Sequence, residues 1–169
     1  MPEKKTVKRA RQDKREGKSA STQAGEFVHE EMEHIREGKH GARSAKQAIA
    51  IGLSKARRAG VDLPPPEKGK GSAKTRHKAE KDLEAGKKSK KSAKKVSRTR
   101  SRATSEALER EGSSAASKRA LGRQAKSAAR KRSAADRSAA AKKAARTKGA
   151  KGRSEAAKKA ARTRAKRSA

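Results

Sequence analysis

Lys142, Lys143 and Arg146 stand at i, i+1 and i+4, and sixteen residues further on Lys158, Lys159 and Arg162 repeat that spacing. On a helix, positions i and i+4 stack, so each trio makes one cationic face. The frame is repeated with the trio: residues 137–147 and 153–163 match throughout, except that Glu155 stands where the first copy has Ala139. The core of the repeat, Lys-Lys-x-x-Arg-Thr, occurs a third time around Lys94, Lys95 and Arg98. Cations at this density neutralise a row of phosphates and release its condensed counterions. The nine residues Lys94, Lys95, Arg98, Lys142, Lys143, Arg146, Lys158, Lys159 and Arg162 are the expected nucleic-acid contacts.

Other residue types invite other chemistry and fail on spacing. His29-Glu30-Glu31-Met32-Glu33-His34 places its histidines at i, i+5, about 140° apart on a helix, whereas a zinc-protease helix needs them at i, i+4. His29–Glu33 and Glu30–His34 are spaced for weak chelation, but a solvated polar face accounts for both, so no metal site and no cofactor is expected. Gly69-Lys70-Gly71-Ser72 and Gly17-Lys18-Ser19 lack the earlier glycine and the preceding strand of a phosphate loop, and read as linker and helix cap. Ser, Asp and His show no triad order. With so little core to hold a site rigid, no catalytic residue is expected and the chain is read as not an enzyme. Residues 47–58 admit a DNA-reading helix-turn-helix with Gly52 in the turn, but their capping pattern favours one continuous helix. Arg57 and Arg58 then sit where they complement its dipole.

The elements that must position these residues are small. Ile, Leu, Val and Phe number 13 of 169 residues, Phe27 is the sole aromatic and Cys is absent. That composition excludes a conventional core for the whole length, and with it disulfides, thiolate zinc sites and cysteine catalysis. Eleven of the fifteen large apolar residues, Met included, fall in 1–63, where the net charge is +6. From Pro64 on there are 36 Lys/Arg against 9 Asp/Glu. The Pro64-Pro65-Pro66 run breaks helices and opens an extended linker, so the expected organisation is a helical module over 1–63 and a basic low-complexity tail over 64–169.

Within the module, Phe27, Val28, Met32 and Ile35 form an apolar stripe at helical spacing, capped by Ser21 or Thr22 and closed by Gly38. A second helix opens with the capping-box spacing of Ser44 and Gln47. It stops at Gly60, with Val61 folding back onto Ala56. The fold class expected is all-α, a helical hairpin over about 22–61. Residues 4–16 read as a further polar helix ending at Gly17. So few apolar groups leave the hairpin marginal alone, and a homodimer through it would supply burial. The tail is expected to be largely disordered with nascent Ala/Lys-rich helix, because like charges at i, i+4 repel and short isolated helices are marginal.

Residues 26–66, above all Lys46-Gln47-Ala48-Ile49-Ala50-Ile51, resemble a small bacterial family known as domain of unknown function 6496. The resemblance implies a bacterial source and carries no activity. The tail is similar in composition to the tails of linker histones and histone-like proteins, without their proline. The charge calls for a polyanion. Double-stranded DNA is the expected partner, since stacking aromatics for single strands are missing. No membrane span or amphipathic anchor is expected, and the N-terminus has no apolar run of a secretory signal. The resulting expectation is a cytoplasmic, nucleoid-associated, histone-like protein that binds DNA without sequence preference. RNA or ribosome binding by the same tail is one alternative. Another is a protein-interaction or stress-protective module whose tail only solubilises.

Overall fold

The computed structural model describes residues 2–69, 71–87 and 97–168. Among the described residues there are seven α-helices and no strand: α1 (Lys4–Arg15), α2 (Ala20–Arg36), α3 (Ala45–Arg58), α4 (Ala73–Lys87), α5 (Arg98–Glu109), α6 (Lys118–Arg130) and α7 (Ala134–Ser168), with one 3-10 turn at Ser113–Ala116. The chain divides into two units, Met1–Gln124 and Ala125–Ala169.

The first unit is built on the hairpin of α2 and α3. Ser44 accepts from the Gln47 amide at 3.2 Å and starts α3. Gln47 Oε1 accepts from the Arg43 amide at 3.1 Å, one residue before the position a capping box would use. The cap of α2 is Ser19, whose hydroxyl accepts from the Thr22 amide, not Ser21 or Thr22. Ser19 precedes the first helical turn, so it alone can turn its side chain back onto orphan amides. Gly38 and Gly60 take the left-handed conformation that ends each helix. The Val61 amide donates to Ala56 O at 3.1 Å, and Val61 is buried beside Ala56. The helix α3 runs unbroken through Gly52, which removes the helix-turn-helix reading.

Two apolar clusters show that α2 and α3 are antiparallel. Met32 and Ile35, late in α2, meet Ala48, early in α3. Phe27, earlier in α2, meets Ala56, late in α3. Between them the helices cross closely: a Cβ on Gly52 would lie 2.7 Å from Val28 Cα. Ala10 of α1 packs into the Phe27 cluster, so the polar N-terminal helix is the third wall of the module.

Two elements beyond the proline run join this unit. The helix α4 is held to α3 by buried Asp82, which accepts from Ser54 Oγ at 2.6 Å and from Arg58 Nε at 2.8 Å. Ala115 and Ala116 are buried in the Met32–Ile35 cluster, with Leu121 packed against it. Gly41 N donates to Leu108 O at 2.8 Å and Ala42 N to Gly112 O at 3.2 Å, tying the α2–α3 turn to this segment.

These contacts, and the helices after them, correct the expectation of a largely disordered remainder. That expectation rests on like-charge repulsion and the weakness of short isolated helices, in a segment with few large apolar groups. Alanine buries little area per residue but costs no side-chain entropy, and it is the strongest helix former. An Ala-rich chain therefore builds helices and fills close interhelical gaps without the Leu, Ile and Phe that signal a core. The second unit holds the C-terminal part of α6 and all of α7. Inside α7, Gly149 has φ 66° and ψ 174°, a break that separates two helical segments.

Candidate nucleic-acid interface

Six of the nine expected contact residues lie on α7: Lys142, Lys143 and Arg146 before Gly149, and Lys158, Lys159 and Arg162 after it. All six are exposed, and among the described residues none makes an ion pair. The two segments share a backbone signature: Thr147 Oγ1 donates to Lys143 O at 3.0 Å, and Thr163 Oγ1 to Lys159 O at 2.9 Å. The sequence repeat is thus a structural repeat, with each trio on one helix face. In one straight helix a sixteen-residue offset would turn the second face about 160° from the first. The left-handed Gly149 removes that constraint. Arg98 is exposed in the first turn of α5, whose cap is Ser97, and so belongs to the other unit. Lys94 and Lys95 lie outside the described residues.

The charge of α7 differs in kind from that of the hairpin. Ala134–Ser168 holds 13 Lys/Arg and 2 Asp/Glu. In the first unit many cations are spent internally. Lys18 Nζ lies 2.7 Å from Asp13 Oδ1 and 2.8 Å from Glu16 Oε2. These partners, Asp13 first, hold the Lys18 ammonium well above its usual range, and Lys18 in turn holds the Glu16 carboxyl below the carboxylate range. Arg57 is buried and donates to Leu63 O at 3.1 Å and Pro64 O at 3.2 Å, strapping the proline run to α3. Burial pushes its pKa down. Neither Arg57 nor Arg58 acts chiefly on the helix dipole. One caps loop carbonyls and the other grips Asp82.

The histidine-rich turn of α2 is arranged differently from its sequence spacing. His29 pairs with Glu33 at 3.3 Å on an exposed face. Glu30 is buried and accepts from the Glu3 amide at 3.2 Å, not from His34. The group that does converge is Glu31, His34 and His40, whose donor atoms all lie within 4.8 Å of one another. Sequence reasoning missed it because His40 is beyond the Gly38 turn, where helical periodicity no longer applies.

Among the described residues no helix is long and apolar enough to cross a membrane. No curated protein and no solved structure matches this chain. Residues 11–68, reaching from α1 through the hairpin to the proline run, match the model of a family of unknown function, DUF6496.

Proposed function

We propose that this protein binds double-stranded DNA without sequence preference, as a nucleoid-associated, histone-like protein, through the cationic faces of α7. The observation that carries the reading is the pair of repeated segments, each presenting an exposed Lys-Lys-x-x-Arg face on one helical backbone. Cationic side chains at this density contact phosphates, which position a protein on a duplex without reading bases. The small Ala, Ser and Gly residues between the cations let the backbone approach the phosphates. The hairpin unit would serve as a folded body that places the arm. Phosphate would also relieve the repulsion between neighbouring cations, so binding should stabilise the helical segments of α7.

The test is replacement of Lys142, Lys143, Arg146, Lys158, Lys159 and Arg162 by Gln in the full chain. The variant should lose most of its retention of duplex at low salt, equally for unrelated sequences. Competition with structured RNA at matched phosphate and salt tests the choice of DNA. Undiminished duplex binding by the six-residue variant overturns the reading.

A further inference from the structure

We propose that Glu31, His34 and His40 form a binding site for a divalent first-row transition-metal ion, with Zn²⁺ the natural probe. Glu31 and His34 are one turn apart on α2, so their side chains leave the same helix face. His40 comes from the turn that follows, and the two imidazoles stand edge to face, ring centres 6.1 Å apart and planes at 88°. One carboxylate oxygen and one ring nitrogen from each histidine fall within 4.8 Å of one another.

The hydrogen bonding of His40 leaves it in need of a cation. Its Nδ1 lies 3.2 Å from Gly41 O, which can only accept, so Nδ1 carries the proton. In the neutral ring Nε2 is then a bare lone pair. It faces Glu31 Oε1, another acceptor, at 3.4 Å. Two acceptors at that distance repel unless a positive charge lies between them. The separation equals the ~3.4 Å edge of a tetrahedron with metal–ligand bonds of about 2.1 Å. His34 is held in the same way: its Nε2–H donates to Glu3 Oε1 at 2.9 Å, the carboxylate–histidine pairing that orients ligating rings.

The electrostatics favour a cation too. Glu31 is fully buried, and neither of its oxygens has a hydrogen-bond partner. Lys55 Nζ approaches Oε2 at 2.5 Å without hydrogen-bond alignment, and lies 3.8 Å from Glu30 Oε1. One ammonium therefore serves two buried carboxylates, and Oε1 of Glu31 remains open toward His40. Lys39 sits at the far side, 3.7 Å from Glu3. The site is reachable, because the His34 and His40 side chains are 14 % and 18 % exposed. A bound ion would pin the α2–α3 turn, whose Gly41 and Ala42 amides hold the 108–112 segment.

The experiment titrates the metal-free full chain with Zn²⁺ by calorimetry and with Co²⁺ by visible absorption. The high positive charge of the chain suppresses scattered cation binding, so stoichiometry is informative. The expected result is one ion per chain, with imidazole NMR signals of His34 and His40 shifting together on the unaltered protein. His40→Gln should weaken binding at least ~10-fold, while His29→Gln leaves it unchanged. Absence of one-to-one binding overturns the proposal. Ion binding that moves neither imidazole, or that survives His40→Gln undiminished, also overturns it.

Discussion

Single residues in this chain act mostly through charge, and their surroundings decide which charges are spent on the fold. Asp82 is the clearest case: a buried carboxylate that joins α4 to α3 through Ser54 and Arg58. Asp82→Ala leaves both donors unmatched and should cost about 1–3 kcal/mol, read as lost amide protection in α4 with α2 unaffected. Lys18 makes a pH-dependent clasp between the turn before α2 and the C-terminal end of α1. Its ammonium is stabilised by folding, so its contribution is complete below the unfolded pKa and disappears as pH rises through the folded value. The Glu16 carboxyl is shifted down, so its contribution is present above the unfolded pKa and is lost as pH falls through the folded one. Amide exchange at the α1–α2 junction should thus quicken at both extremes. The effect is small because the groups are exposed, and Lys18→Gln should flatten it. The roles of Asp82 and His40 were not legible in the sequence. Each depends on a residue that only chain reversal brings near, and neither an aspartate on a polar helix nor a histidine after a glycine carries a periodic signal.

At the scale of elements, the parts with local chemistry were readable and the parts with tertiary chemistry were not. Helices α1, α2 and α3 end at Gly17, Gly38 and Gly60, all with positive φ, because glycine adopts that conformation without the Cβ clash. The hairpin followed from two apolar stripes and a short connection. The docking of Ala115 and Ala116 did not, since small side chains give no stripe. The closeness of the α2–α3 crossing is testable. Gly52→Ala puts a Cβ against the Val28 backbone and should destabilise the unit by about 1–3 kcal/mol, seen as a lower denaturation midpoint. At Gly149 the sign reverses. Nothing lies within 4 Å of a Cβ there, but φ is +66° with ψ 174°, a conformation close to glycine-only that costs other residues about 1–3 kcal/mol. Gly149→Ala should therefore straighten α7 into one helix and raise the helical circular dichroism signal. It would also force the two cationic faces to opposite sides.

For the molecule as a whole, the account separates a body from an arm. The body, a hairpin with α1, α4 and the 113–116 turn packed on it, pairs several of its own cations with buried or part-buried carboxylates. The arm carries 13 Lys/Arg on α7 with 2 Asp/Glu, and its repeated faces are open to solvent. Composition marked a basic tail from Pro64 on, of which α7 is the C-terminal part. Its helical order was less visible, since propensity and repulsion oppose each other and a count of either alone misleads. The central claim is that these cations bind duplex phosphates, and the salt dependence of duplex affinity tests it most directly. With ~8 phosphates engaged, log K should fall against log salt with a slope of about −7 for the full chain, and of about −2 once the six α7 cations are glutamine. A slope near zero, or one that the six substitutions leave unchanged, would contradict the account.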